Sequence, residues 1–278
     1  MSTNISQPLI SVCIPAYNNE SFINQTIDCI LNQTYQNWEL IISDDCSNDK
    51  TVEIIKTYKD ARIRLIERKQ NLGLVGNWNR LIPELKGEYV KLLCGDDLIE
   101  RTCLEKQISV FLTQSNSHIA LVTSHTDLIN EAGVKLMTKK FPFKSGLINS
   151  KKAISANFLF GTNKIGEPGC GLFKTDLFKK VGEYDKQNNY MVDLDFWFRI
   201  LLTGNLYVIP ESLASFRINT HATTTKTKNS QAKLFIQFAK KIYKDKRYSV
   251  SLILFYHSCI VATMMQYLRM LFLKIFLK

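Results

Sequence analysis

Apolar and polar positions alternate in two distinct patterns over the first hundred residues. Short apolar runs rich in β-branched side chains are each followed by a stretch whose apolar residues recur every three to four positions. The first pattern is typical of buried strands and the second of amphipathic helices. The predicted strands cover residues 9–14, 38–42, 63–66 and 89–93, and the predicted helices cover residues 21–33, 49–58 and 75–85.

Strict alternation of strand and helix predicts an α/β fold, with βαβ units around a mainly parallel, Rossmann-like sheet flanked by helices. A polar cluster follows each predicted strand. Because open α/β sheets bind ligands beyond the carboxyl ends of their strands, we expect these clusters to line one crevice. They are Tyr17-Asn18, Asp44-Asp45, Asn71 and Asp96-Asp97.

The pattern loosens after residue 100. We predict a helix at 104–112, a strand at 119–124, a strongly apolar helix at 193–202 and a strand at 206–210, and we interpret the basic stretch 135–152 as a loop. A lysine-rich segment then precedes residues 248–268, which contain no formally charged residue. Their apolar positions share one helical face, which predicts an amphipathic helical extension.

Composition narrows the class of protein. With 45% hydrophobic and 22% charged residues, the chain of 278 residues is expected to fold rather than remain disordered. A formal charge of +11 implies an anionic partner: nucleotide phosphates, nucleic acid or a membrane surface. The scattered cysteines without CxxC pairs predict buried thiols in a reducing compartment. The first eight residues lack a signal-peptide pattern, so we expect a cytoplasmic location.

Two carboxylate pairs at one sheet edge are the main candidates for chemistry. Strand-end aspartates commonly cap the next helix, which is the simplest interpretation of either pair alone. Two pairs together concentrate negative charge that repels itself unless a cation or a donor-rich ligand lies between them. The pairs Asp44-Asp45 and Asp96-Asp97 therefore favour a ligand site.

An ordered set of motifs over residues 9–217 resembles the family 2 glycosyltransferases of GT-A fold. The motifs are PAYNNE at 15–20, ISDDCSNDKT at 42–51, NLG at 71–73, NWNR at 77–80, GEYV at 87–90, LCGDD at 93–97, VGEYD at 181–185 and DLDFWFR at 193–199. The resemblance implies transfer of a sugar from a nucleotide diphosphate donor, with UDP expected, to an acceptor hydroxyl with inversion. It also implies a DxD-type site for Mg²⁺ or Mn²⁺.

The resemblance assigns roles to the strand-end residues. It implies that Asp45 accepts a hydrogen bond from the uracil ring, that Pro15 and Tyr17 shape the base pocket, and that Asp96 holds the ribose while Asp97 binds the metal. Asn18 and Asn71 complete the expected nucleotide-binding set. Cys94 stands where many members have the first Asp of the metal motif.

The second half is expected to supply the catalytic base. The resemblance assigns this role to Asp193, with Asp195 as the alternative; Val192 replaces the family's usual Glu. An Asp in the first turn of a helix also fits a capping role. For Arg217 we keep two interpretations, a phosphate contact and a structural salt bridge.

We expect residues 1–97 to bind the nucleotide sugar, residues 98–225 to form the acceptor-binding and catalytic half of the same domain, and residues 226–278 to form a basic, amphipathic tail. The tail predicts peripheral docking at the anionic inner face of the cell membrane, which suits a glycan or lipid-linked acceptor in bacterial surface polysaccharide synthesis. The alternative is a solvated basic face beside a core helix. The basic residues of the tail are Lys226, Lys228, Lys233, Lys240, Lys241, Lys244, Lys246 and Arg247.

Three other functions are compatible with parts of the sequence. A nucleic-acid-binding protein would explain the charge, but acidic pairs at the main crevice would repel phosphate backbones, so we expect no nucleic-acid partner. A nicotinamide oxidoreductase would need a GxGxxG turn after the first strand, where the sequence has Pro15 to Asn18. A catalytically inactive nucleotide-sugar or glycan-binding relative stays open.

Overall fold

The computed structural model describes residues 7–114, 117–187, 190–219 and 229–276. Lys226 and Lys228 of the predicted tail lie outside these ranges. The described strands are β1 (Ile10–Ala16), β2 (Trp38–Asp44), β3 (Ile63–Glu67), β4 (Tyr89–Leu92), β5 (Leu98–Ile99), β6 (Ile119–Ile129), β7 (Lys135–Lys139), β8 (Gly146–Ile148), β9 (Leu172–Lys174) and β10 (Asn205–Arg217). The helices are α1 (Ile23–Leu31), α2 (Thr51–Thr57), α3 (Gly73–Leu81), α4 (Cys103–Thr113), α5 (Ser150–Leu159), α6 (Leu177–Val181), α7 (Val192–Leu201), α8 (Gln231–Lys244) and α9 (Leu252–Phe276).

The apolar runs of the first half become central strands because both of their faces are covered. In β1, Ile10, Val12 and Ile14 pack with α1 and α4 on one side of the sheet, and Cys13 packs with α3 and later helices on the other. Strands buried on both faces are expected to be continuously apolar rather than alternating. The predicted alternation of strands and helices is confirmed over this half.

One sheet joins both halves of the chain, in the order β3-β2-β1-β4-β9-β6-β10-β5, with β7 beside β6 and β8 beside β10. The first four strands are parallel, as predicted. The sheet is nevertheless mixed, because β9 is antiparallel to both β4 and β6 while β6 and β10 are parallel. Residues 1–97 and 98–225 share this one sheet. The boundary at residue 97 therefore divides two expected functions and does not separate two folding units.

Two predictions for the second half are corrected. The stretch 135–152 is not a loop, since it contains β7, β8 and the start of α5. Two of its basic side chains, Lys135 and Lys139, lie on β7 at the border of the sheet. The predicted strand at 206–210 extends to Arg217 because Pro210 falls beside a shift in register at Ile209, where the ladder does not need its missing N–H.

The C-terminal helices α8 and α9 pack against each other and against α5. The inward side of α9 is mixed in polarity. Ala262 is buried and Leu254 and Phe255 pack against the core, while the Gln266 side chain accepts a hydrogen bond from the Ala232 N–H at 2.8 Å and Arg269 donates to Thr162 at 3.2 Å. Gly161 allows a close approach, because a Cβ there would clash with the backbone of Ala262.

The apolar side of α9 faces outward. Ile253 is 83% exposed, and seven further large side chains beside it are more than half exposed. We call this surface the α9 apolar face: Leu252, Ile253, Tyr256, Ile260, Met264, Tyr267, Leu268 and Leu271. The predicted helix is therefore present, but unlike an ordinary core helix it exposes these large apolar side chains.

Candidate active site

The carboxyl end of β2 places Asp45 at the edge of the crevice. The Asp45 side chain is buried, and its Oδ1 accepts a hydrogen bond from the Leu72 N–H at 2.9 Å. Within the described residues its other oxygen accepts no hydrogen bond. A carboxylate oxygen without a protein donor suits the N–H of a uracil ring.

The loop after β1 borders the same pocket. Asn18 adopts a left-handed backbone conformation with φ of 51°, which is stabilised because its N–H donates to Ser47 Oγ and its Oδ1 accepts from the Asn48 N–H. Tyr17 remains 45% exposed beside the half-buried Pro15. The structure thus brings the three predicted residues of this loop next to the loop that follows Asp45.

Asn71 lies in the loop before α3, and its Oδ1 accepts from the Gly73 N–H at 2.9 Å. Gly73 has φ of +73°, a conformation that glycine adopts without steric cost. Asn71 itself is exposed, and Leu72 between the two donates to Asp45. The loop therefore connects Asn71 directly to the predicted base pocket.

Asp96 and Asp97 follow β4, but their side chains occupy different environments. Asp97 is 2% exposed, and its Oδ1 accepts from the Arg217 N–H at 2.9 Å. Asp96 is half-buried, and its Oδ2 accepts from Asn219 at 2.8 Å. Burial raises the pKa of Asp96, and burial together with the Asp96 charge raises the pKa of Asp97 well above its usual range. Asp96 is therefore the member of the pair nearer to solvent.

Arg217 is fully buried behind these carboxylates. Its Nε donates to the Asp96 carbonyl at 2.8 Å, one terminal nitrogen donates to the Glu131 carbonyl at 2.7 Å, and the other donates to Gln25 at 2.8 Å. This geometry favours the structural interpretation of Arg217, although through hydrogen bonds to carbonyls rather than a salt bridge. A phosphate contact stays a prediction and would require the guanidinium to leave these oxygens.

Asp193 lies in the first turn of α7 and is held from two sides. Its Oδ1 accepts from the Leu194 N–H, and its Oδ2 accepts from Asn163 at 2.8 Å. Burial raises the pKa of Asp193 to about 7. A carboxylate with a pKa near neutrality is suited to general base catalysis at physiological pH.

Cys94 follows β4 and lies close enough to Asp96, Asp97 and Asp193 of α7 for their charges to act on its thiol. Burial raises the pKa of the Cys94 thiol well above its usual range, and the charges of Asp97, Asp96, Asp193 and Glu167 raise it further. The thiol is consequently neutral at physiological pH. Replacement of the family's Asp by Cys94 removes one negative charge from a site that already contains four carboxylates.

Comparison with known proteins identifies the family. Residues 11–182 match the model described as Glycosyl transferase family 2. The chain belongs to this family. Among its relatives, an uncharacterized glycosyltransferase of Rickettsia typhi is 31% identical over 250 residues, which cover 88% of this chain and 76% of that protein. A Bacillus subtilis glycosyltransferase named for teichuronic acid biosynthesis is 27% identical, covering 83% of this chain and 87% of that protein.

Two solved structures show the fold. S. aureus TarS in complex with UDP-GlcNAc superposes with a TM-score of 0.65 at 17% identity, covering 84% of this chain and 66% of that one. The Pyrobaculum calidifontis mannosyltransferase PcManGT, in complex with GDP-Man and Mn²⁺, superposes with a TM-score of 0.66 at 16% identity, covering 92% of this chain and 70% of that one. The expected GT-A fold is confirmed.

The alternative base of this family 2 glycosyltransferase, Asp195, lies in different surroundings. It is buried, and its two oxygens pair with Arg199 at 2.9 Å and with Lys241 at 3.0 Å. The carboxylate is held between two cations and only 3% of the side chain is exposed, so an acceptor hydroxyl could reach it only by displacing these partners. The geometry therefore favours Asp193 over Asp195.

Sequence reasoning missed Asn163 and Glu167. Asn163 also accepts hydrogen bonds from the Ile165 and Gly166 N–H groups, so it fixes the loop that surrounds Asp193. Nothing in the local sequence marks an asparagine thirty residues away as a partner of Asp193. For Glu167 there was a signal, an acidic residue between Gly166 and Pro168 in a turn.

Proposed function

We propose that the chain transfers a sugar from a nucleotide diphosphate, with UDP preferred, to an acceptor hydroxyl with inversion at the anomeric carbon. The observation that supports the proposal is that Asp45 and Asp96 follow β2 and β4, the two strands beside β1, and that the charges of Asp96 and Asp193 both act on the Cys94 thiol. Asp45 provides an acceptor for a nucleobase, Asp96 a carboxylate near solvent, and Asp193 a base with a pKa near neutrality. TarS and PcManGT, which share the fold, were solved with nucleotide sugars.

The residues present fit a divalent cation. Asp96 and Asp97 are adjacent carboxylates whose negative charges lie close together in a buried setting, and Asp193 and Glu167 add to this field. Oxygen ligands of this type suit Mg²⁺ or Mn²⁺. Among the residues that the structure describes, no three Asp, Glu, His or Cys side chains form a complete site. The coordination would thus depend on phosphate oxygens and water.

We propose Asp96 as the primary metal ligand, which exchanges the roles first predicted for the pair. Asp97 is more deeply buried and accepts a backbone N–H, so it is suited to fixing the position of Asp96 and of β10. When bound, the cation would neutralise charge on the departing diphosphate. The residues near Asp97 that contribute to this arrangement, Arg217 and Asn219, come from the end of β10.

Asp193 acts on the acceptor in this proposal. The ionised carboxylate accepts the proton of the acceptor hydroxyl as that oxygen attacks the anomeric carbon opposite the diphosphate. Asn163 and the Leu194 N–H hold its two oxygens, so the carboxylate is oriented before the acceptor arrives. An α-linked donor would consequently give a β-linked product. We extend the proposal to a glycan or lipid-linked acceptor in bacterial surface polysaccharide synthesis, which agrees with the relative named for teichuronic acid biosynthesis.

The test is donor binding and turnover with a panel of nucleotide sugars and Mn²⁺. We expect one UDP-sugar to bind with metal and to be hydrolysed slowly without acceptor. Asp96→Asn should weaken metal-dependent binding more than Asp97→Asn does at equal folded content, and Asp193→Asn should spare binding and abolish turnover. A protein that binds donor but never hydrolyses it would instead be the inactive relative, while no binding of any nucleotide sugar would refute the proposal.

We also propose that α8 and α9 dock on an anionic bilayer. No helix among the described residues is sufficiently long and apolar to cross a membrane. The α9 apolar face is nevertheless uncharged and outward, and residues 229–276 contain eight Lys and Arg against the single acidic Asp245. A pair of copies meeting through this face would bring together two strongly basic surfaces, whereas anionic headgroups would neutralise them.

Vesicle sedimentation tests the docking surface. The double variant Ile260→Glu with Met264→Glu should lose binding to phosphatidylglycerol vesicles, because it places two carboxylates in the bilayer interface. The matched control is Ser109→Glu with Thr113→Glu on the exposed side of α4, which packs on the other face of the sheet and should bind as the wild type does. Equal loss in both variants, or a stable dimer dispersed by the double variant, would contradict the proposal.

A further inference from the structure

A cationic cleft borders the loop whose Asn163 holds Asp193. It is lined by Lys139 and Lys140 at the end of β7, by Lys164 in the loop after α5, and by the hydroxyl-bearing Ser124 and Thr126 of β6. None of these residues has a role in the proposed transfer.

The positive charge of the cleft is only partly neutralised. Lys139 pairs with Glu167. Within the described residues neither Lys140 nor Lys164 makes an ion pair, and Lys164 instead lies 4.9 Å from the Phe160 ring. Burial lowers the pKa of Lys164, and the charges of Lys139 and Arg269 lower it further. Several cations therefore face one another across the cleft, an arrangement that an anion would relieve.

The cleft belongs to the acceptor side of the molecule. The proposed nucleotide pocket lies at the ends of β1 and β2, whereas β7 is attached to β6 beyond β4 and β9 in the sheet. Lys164 directly follows Asn163, which binds Asp193, and the Lys139 charge acts on the Asp193 carboxyl. A molecule held in this cleft would extend toward the base rather than toward the nucleobase.

We propose that this cleft binds a phosphate ester group of the acceptor and thereby places a neighbouring hydroxyl at Asp193. The inference rests on the proposed transferase function and specifies its acceptor class. Lysine ammonium groups bind phosphate as point charges. The Ser124 hydroxyl donates to the His125 carbonyl at 3.0 Å and the Thr126 hydroxyl contacts Cys170 Sγ at 2.7 Å, so the lysines carry the recognition. A phosphomonoester of a soluble glycan and a phosphodiester of a lipid headgroup share this chemistry.

Binding of two probes tests the inference on the full chain with UDP and Mn²⁺ present at saturation, so that the donor site is occupied. The soluble probe is glycerol 3-phosphate, with glycerol as its neutral counterpart, measured by calorimetry. The lipid probe is glycerophosphoglycerol, the water-soluble phosphodiester head group of phosphatidylglycerol, also measured by calorimetry, so that docking of the α9 apolar face on a bilayer does not contribute. The variant is Lys140→Gln with Lys164→Gln, and the matched control is the exposed Lys144→Gln.

We expect the double variant to raise the dissociation constant of a phosphate probe by roughly tenfold or more, since each lost charged hydrogen bond is worth about a factor of ten. Lys144→Gln should leave it within about twofold. A higher dissociation constant for glycerol 3-phosphate indicates a phosphomonoester acceptor, and a higher dissociation constant for glycerophosphoglycerol alone indicates the phosphodiester of a lipid headgroup. Both outcomes support the proposal that the cleft binds a phosphate ester.

Three results would overturn the inference: no binding of either probe, equal effects in the control, or weakened UDP binding in the double variant without any effect on the probes. The last would mean that these lysines serve the donor. If UDP-sugars do not bind at all while the phosphate probe does, the transferase proposal fails but the anion site stands. The two failures are thus distinguishable.

Discussion

At the scale of single residues, the most informative feature is a carboxyl group kept away from water. Burial raises the pKa of Asp193 to about 7, so the carboxyl is largely protonated below that pH and ionised above it. A general base works only when ionised. We therefore expect turnover at saturating substrates to rise with pH through about 7 and then level off.

The measurement is the pH profile of the rate of UDP release between about pH 5 and 9. Asn163→Ala should shift the rise to higher pH, because it removes a donor that favours the charged carboxylate. Gln114→Ala, at an exposed helix end, serves as the control. A profile that is flat across this range, or unchanged in Asn163→Ala, would contradict the role given to Asp193.

Asp45 leads to a prediction about nucleotide choice. Asp45→Asn keeps an oxygen for the Leu72 N–H but replaces the second acceptor with an amide NH₂. The dissociation constant for UDP should rise by roughly tenfold or more, because a hydrogen bond to a charged group is lost. Calorimetry with UDP and CDP measures this directly. Equal affinities of wild type and variant for UDP would remove Asp45 from the base pocket.

The strand-end aspartates could be located from the sequence because a polar residue after an apolar run marks the end of a buried strand. Which of Asp96 and Asp97 faces the crevice could not be predicted, since adjacent residues point in opposite directions and the turn geometry decides. Asn163 could not be found either. Its contact with Asp193 is fixed only when the loop after α5 packs against α7.

At the scale of elements, the packing of α9 on α5 depends on Gly161. This residue has φ of +56°, and a Cβ would clash with the Ala262 backbone. Gly161→Ala should therefore loosen α9 and lower the free energy of unfolding by about 1–3 kcal/mol. Hydrogen exchange across 252–276 and thermal melting check the effect. Gly133→Ala, also at positive φ but in open surroundings, separates packing from backbone strain.

An ion network around the buried Asp195 connects α8 to the helix that carries Asp193. Lys241 donates to Asp185 at 2.8 Å and to the buried Asp195 at 3.0 Å. Lys241→Met leaves Asp195 with Arg199 alone, and we expect a loss of about 1–2 kcal/mol of stability. The neighbouring exposed Lys240→Met is the matched control. Equal melting temperatures for the two variants would show that the network contributes little.

Elements of the first half were predictable because continuous apolar runs alternate with stretches whose apolar residues recur with a period of 3.6. Strands β7 and β8 were not, since β7 carries basic residues at the border of the sheet and β8 has only three residues. The orientation of α9 was also inaccessible to sequence. Its amphipathic pattern shows that two faces exist, but the contacts of Gln266 and Arg269 decide which one is inside.

At the scale of the whole molecule, charge and apolar surface act together in membrane docking. The chain has a formal charge of +11, and the α9 apolar face lies beside its basic helices. Binding to phosphatidylglycerol vesicles should weaken strongly between about 0.05 and 0.5 M NaCl, because salt screens the headgroup attraction. Sedimentation at each salt concentration measures this. Binding that is indifferent to salt would mean that apolar insertion alone suffices.

Strand β9 has a consequence for how the chain reaches its native state. Residues 172–174 fill the place between β4 and β6, although they are synthesised long after β4 and about fifty residues after the start of β6. Until they arrive, β4 has an unpaired edge of backbone N–H and C=O groups, a feature that promotes aggregation. The closing of the sheet is thus a late, long-range event, and substitutions in β9 should slow refolding more than substitutions in β3.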